Sequence, residues 1–207
     1  MPYYKEKKML FIHIPKTGGT NIEDIIKKYT PQTLFSGRSN KILPKPYNRV
    51  SLQHQIYTTI YQYRDILDVN FDNIKIFTVV RNPYDRIISD LFWYRLIEKK
   101  FTPEQVFNVI KNKYLNRTNL DNHNIPQFKF IVDENSELIK DIKIFKTETL
   151  NKSNRELSEI VGFDINIRKK EVNKNYSNYL NKDSISLINT YYKKDFELFN
   201  YKLESAF

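Results

Sequence analysis

The sequence predicts an α/β domain with a central, mainly parallel sheet flanked by helices, and three observations carry that prediction. Two apolar, β-forming runs, residues 9–14 and 74–80, each stop at a proline-containing turn. Each turn is followed by apolar residues at helical spacing. A third run, 142–146, is again succeeded by helix signals. Strands that alternate with helices build a largely parallel sheet, and ligands of such sheets sit beyond the carboxyl ends of the strands.

The elements follow in order. Residues 1–8 are polar, and the run Met9-Leu-Phe-Ile-His-Ile14 reads as a buried strand. Pro15-Lys-Thr-Gly-Gly19 breaks it, and Thr20-Asn-Ile-Glu23 has capping-box spacing, which starts a helix at Thr20 that runs to about Tyr29. Residues 30–50 hold three prolines and read as an irregular excursion, and 54–68 as a helix. The clearest strand, 74–80, ends in Arg81-Asn-Pro83, after which Ile87, Ile88, Leu91, Phe92 and Leu96 mark a helix to about Glu98.

Thr102-Pro-Glu-Gln105 opens a short helix with proline in its first position. Residues 114–127 are loop-like. Beyond the strand at 142–146, Ser153 and Glu156 cap a helix that Gly162 ends, and a last helix spans 183–199.

With 207 residues, 40% hydrophobic, the chain is read as one globular domain, 1–207. It has no cysteine, which excludes disulfides, thiolate metal sites and a cysteine nucleophile. The run at 9–14 is too short for a signal core and no stretch suits a membrane span, so the expectation is a soluble, cytoplasmic protein. The net charge of +10 suits an anionic ligand, but a Lys-, Asn-, Ile- and Tyr-rich composition produces the same surplus through coding bias. Charge alone does not choose between them.

The strand–turn–helix unit Phe11-Ile-His-Ile-Pro-Lys-Thr-Gly-Gly-Thr-Asn21 has the makings of a phosphate cradle. Glycines let the backbone approach an anion, the helix start offers N–H groups, Lys16 adds a charge, and Thr17 and Thr20 add hydroxyls. It is not a Walker A loop, because Lys16 precedes both glycines. The second unit, Thr78-Val-Val-Arg-Asn-Pro-Tyr-Asp-Arg-Ile-Ile-Ser89, puts Arg81 at a strand end and Ser89 about two helical turns on, a guanidinium and a hydroxyl able to bracket a second phosphate. Arg86 is either a further anion contact or a solvated helix residue.

These two motifs resemble those of the sulfotransferases that use 3′-phosphoadenosine-5′-phosphosulfate (PAPS). The resemblance is to the branch containing heparan sulfate 2-O-sulfotransferase-like and small bacterial carbohydrate enzymes. Residues 12–20 match its 5′-phosphosulfate loop and 80–89 its 3′-phosphate motif. Asn122-His-Asn-Ile-Pro-Gln127, Val172-Asn-Lys-Asn-Tyr-Ser177 and residues 191–201 are weaker echoes of later elements. The resemblance implies a P-loop-NTPase-like three-layer fold and a metal-independent transfer to a hydroxyl of a glycan or polysaccharide, with no nucleic-acid partner.

It also implies roles. Pro15, Lys16, Thr17, Gly18, Gly19, Thr20 and Asn21 would hold the 5′-phosphosulfate, with Lys16 also catalytic, and Arg81 and Ser89 the 3′-phosphate. Lys174, Asn175 and Tyr176 would close over the nucleotide, and His123 and Gln127 would face the acceptor. A hydroxyl acceptor needs a base, and histidine suits neutral pH. His54 matches the family's catalytic histidine in order and context. His123, His13 or a carboxylate such as Glu23 are the other candidates, and His13, on one face with Phe11, reads as packed. A nucleotide kinase and a non-catalytic polyanion-binding module are the competing functions. The first lacks GK[ST] order, and the second lacks any RRM, KH or zinc-finger signature.

Overall fold

The computed structural model describes residues 1–30, 41–168 and 176–205. The chain divides into two compact units, Met1–Val80 with Lys129–Lys169 and Arg81–Phe128 with Lys170–Phe207.

The first unit is built on a four-stranded sheet in the order β1 (Tyr3–Tyr4), β2 (Met9–Ile12), β3 (Lys75–Val80), β4 (Lys143–Lys146). β2, β3 and β4 are parallel, with Phe11 opposite Phe77 and Val80 opposite Lys146. β1 is antiparallel to β2 and was not expected. The polar opening stretch conceals it: Met1, Tyr3 and Tyr4 are buried while Lys5 to Lys8 stay in solvent.

Alternation sends Met9, Phe11, Phe77, Val79 and Phe145 to one face of the sheet. There they pack with Ile22 and Ile26 of α1 (Gly19–Ile26) and, from later in this unit, Leu157 and Val161 of Asn154–Val161. The α/β class and the mainly parallel sheet with flanking helices thus hold. Between β2 and β3 the expected helix at 54–68 shrinks to a 3₁₀ turn, Leu52–His54, and a short α2 (Tyr57–Gln62).

The second unit is helical, with α3 (Pro83–Trp93) and α4 (Pro103–Val109) in its first half. α3 is shorter than its apolar pattern, because Arg95 takes a left-handed conformation two residues past its end. The Asn82 side chain accepts from the Tyr84 N–H at 3.0 Å, capping α3 with Pro83 in its first position. Thr102 and Gln105 form both halves of a capping box at α4.

Two other boxes read from the sequence do not form. α1 starts one residue early, at Gly19, and no side chain caps it, because Glu23 is drawn to another partner described below. α5 (Asn154–Val161) follows Ser153, whose side chain makes no cap bond, although Gly162 ends it in the left-handed region at φ 79°.

The last helix of the sequence pattern is two, α6 (Lys182–Tyr191) and α7 (Lys193–Leu198). The apolar phase runs on through the break, so the pattern reads as one helix. The core of this unit draws on Tyr84, Ile88, Val106, Ile110, Ile188 and Phe196. Among the described residues no helix is long and apolar enough to cross a membrane.

Candidate functional site

The turn after β2 is held in an unusual backbone. Lys16 has φ 66° and Gly18 φ 92°, both left-handed, and such conformations in a non-glycine residue are stored where the surrounding structure fixes them. Thr17 is buried, and its hydroxyl donates to the Ile14 carbonyl at 2.8 Å. That hydroxyl therefore closes the turn rather than joining the donors expected of it. Pro15 is buried, Lys16 half-buried, and Gly18, Thr20 and Asn21 are exposed at the uncapped start of α1. The cation and the helix start thus reach the surface while the turn's interior is closed.

A polar cluster lies beneath. The carboxylate of Glu23, one turn into α1, is hydrogen-bonded to His13 Nδ1. The Gln53 side-chain amide donates to the same Glu23 oxygen at 2.9 Å. Burial pushes the Glu23 carboxyl up, but the bond and charge of His13, the Gln53 bond and the amino terminus outweigh it, leaving the pKa below its ordinary value.

The ring of His13 stacks on Phe11 at 5.6 Å between centroids. It also lies against Gly19: a β-carbon there would stand 2.6 Å from His13 Cδ2 and 2.7 Å from Nε2. Gly19 is thus required by the histidine behind it. Half-buried His54, one residue after Gln53, meets the His13 ring edge-on at 5.4 Å. Residues from three sequence segments, β2 (Phe11), α1 (Gly19, Glu23) and the 3₁₀ turn (Gln53, His54), meet at one imidazole.

Sequence reasoning missed Thr147. Its hydroxyl lies 2.6 Å from the Thr17 carbonyl and 3.0 Å from that of Val80, sharing its proton between the turn after β2 and the end of β3. Its signal was available, since it directly follows β4 at a strand's carboxyl end.

In the second unit Arg81, half-buried, begins the turn that follows β3 in the chain. Its N–H donates to Gln127 Oε1 and its carbonyl accepts from Gln127 Nε2, both at 2.9 Å. Gln127 is fully buried, and its side chain is spent on the Arg81 backbone rather than turned to an acceptor. Asp195 of α7 accepts from the backbone N–H groups of Gln127 and Phe128, at 2.8 and 2.9 Å.

Ser89 lies half-buried on α3. Arg86 is not a solvated helix residue. Buried on α3, it donates to the carbonyls of His123 (2.6 Å) and Ile125 (3.0 Å), fixing that loop from within. His123 is also buried, with Nδ1 bonded to Asp90 at 2.6 Å; the other Asp90 oxygen takes the Tyr114 hydroxyl at 2.6 Å. Tyr176 stacks on Tyr84 at 5.2 Å and donates to Glu204; burial and that carboxylate raise its phenol to about 12. Lys174, Asn175 and part of the excursion, 31–40, lie outside the described residues.

A parallel α/β sheet with a cationic, glycine-bearing turn at a strand end and an arginine directly following the next strand defines a class, that of proteins which bind anionic groups beyond strand ends. A family model described as the sulfotransferase family matches residues 3–202, and the chain belongs to that family. It is a transferase of sulfuryl groups. No curated protein and no solved structure matches it.

Proposed function

We propose that the protein transfers a sulfuryl group from PAPS to a hydroxyl of a glycan or polysaccharide, with His54 as the base. The reading rests chiefly on one observation: His54 and the phosphate-loop residue Gly19 both pack against the same buried imzidazole of His13. Two motifs more than thirty residues apart in sequence thereby share a support.

The donor supplies a sulfuryl group already activated by its bond to a phosphate. The acceptor oxygen bonds to sulfur as the bond from sulfur to the 5′-phosphate oxygen breaks, and the acceptor proton passes to the imidazole of His54. Lys16 neutralises charge on the departing oxygen, and the backbone of Thr17 to Thr20, aided by Asn21, receives the phosphate. The residues suit this anion: Lys16 brings a cation to the turn, and the first turn of α1 is uncapped by any side chain and holds no acid. Arg81 and Ser89 bind the 3′-phosphate, the group that distinguishes PAPS from other adenylates. Tyr176 contributes an aromatic face to the nucleotide site. The branch resemblance favours a glycan acceptor.

Calorimetric titration with adenosine 3′,5′-bisphosphate, AMP and ATP tests the reading. Binding selective for the bisphosphate, lost in Arg81→Ala, is expected. Equal or tighter binding of ATP overturns it.

A further inference from the structure

We infer that Gln127, held by Asp195, is a positioning residue that sets the selectivity of Arg81 for a 3′-phosphorylated nucleotide. The inference rests on the reading of Arg81 given above. It starts from the end of a strand. The ladder between β3 and β4 stops at the pair Val80–Lys146, so beyond Val80 no sheet bond fixes the chain. Arg81 is the next residue, and both its backbone polar groups are taken by one side chain, the Gln127 amide, with 2.9 Å bonds in each direction.

A primary amide donates and accepts side by side, so one side chain can serve both the N–H and the carbonyl of a residue. Gln127 therefore holds the Arg81 backbone from one side and dictates the direction in which the Arg81 side chain leaves it. A guanidinium binds phosphate through a planar fork, whose strength depends on that direction.

Gln127 is itself anchored. Its N–H donates to Asp195 Oδ2 at 2.8 Å, the Phe128 N–H donates to Asp195 Oδ1 at 2.9 Å, and Gln127 Nε2 lies 3.4 Å from Oδ2. Gln127 and Asp195 are both fully buried, so neither reaches a nucleotide. Asp195 fixes the loop, the loop fixes the amide, and the amide fixes Arg81.

The test is the ratio of the affinities for adenosine 3′,5′-bisphosphate and AMP, measured by calorimetry on the full chain. Gln127→Met keeps length and volume and removes both bonds. The ratio is expected to fall about tenfold to a hundredfold, the scale of charge-assisted bonds set out of line, while AMP binding stays within about twofold of wild type. An unchanged ratio in folded Gln127→Met overturns the inference, as does an equal loss for both nucleotides, the mark of a purely structural role. A wild-type protein that does not prefer the bisphosphate, or a preference that survives Arg81→Ala, sinks instead the reading of Arg81. The wild-type protein gives a second measurement that no folding defect can obscure. The side-chain NH₂ resonances of Gln127 should shift on adding the bisphosphate and stay in place on adding AMP; equal shifts with both overturn the inference.

Discussion

The turns that follow β2 and β3 solve one problem by different means. Each carries the cation that the proposed reaction brings to an anion, and each is fastened from within by other groups. After β2 the fastening is ionic and steric: the Glu23–His13 pair sits behind the turn, and the ring presses on Gly19. After β3 it is a neutral amide, Gln127, clasping the backbone of Arg81. The second unit has its own carboxylate–histidine pair, Asp90–His123, but it anchors Tyr114 and a loop gripped by Arg86. Such a pair is thus not by itself the sign of a reactive histidine; what it presses against decides its use.

The largest effects should come from the residues proposed to meet donor and acceptor. Lys16→Ala and His54→Ala should each lower the turnover rate by about 10² to 10⁴, the scale of a lost charge-stabilising or acid–base group. Arg81→Ala should act mainly on nucleotide affinity and leave the rate at saturation much closer to wild type. Steady-state kinetics with varied PAPS separate the two. A wild-type rate in His54→Ala removes it from the mechanism, and an Arg81→Ala defect confined to saturating turnover breaks the division of labour between the turns.

The two glycines of the first turn sharpen the comparison at a smaller scale. Gly19→Ala drives a methyl into a ring that Glu23 and Phe11 hold in place, and should cost about 2–3 kcal/mol, as overpacking does. Gly18→Ala meets nothing nearer than 3.9 Å but must keep φ near 92°, which should cost about 1 kcal/mol. Urea midpoints give the ranking. Equal costs would mean that the His13 ring yields freely and does not brace the turn.

How much of this was legible depended on how far apart the partners lie in sequence. The strand–turn–helix units were plain, because their residues are consecutive and their periods are local. The partner of His13 was hidden: Glu23 looked like the end of a capping box, and only the folded chain brings the histidine close enough to divert it. Gln127 stood out as a residue but not in its role, since a sequence does not say which way an amide points. Asp195 left a faint mark, an acid beside Phe196 in the buried phase of the last helix. The break after Tyr191 left none, because the apolar spacing continues across it.

The smallest effect is a difference of sign between the two fastenings. The Glu23 pKa is lowered in the folded protein, so its ionised form adds stability above the ordinary carboxylate range, and that contribution is lost as pH falls through the folded value. Asp195 is shifted the other way. Burial raises it, and its bonds to Phe128 and Gln127 and the charge of Arg86 only partly offset this. Its ionised form is a cost, relieved as acid protonates the folded state before the unfolded one. Denaturation at pH 7, 5 and 4 should therefore show the advantage of wild type over Glu23→Gln shrinking with acid. Over the same range, wild type should gain on Asp195→Asn. If both differences move the same way, the ionic fastening of the first turn and the neutral clasp of the second are not the separate devices their hydrogen bonds describe.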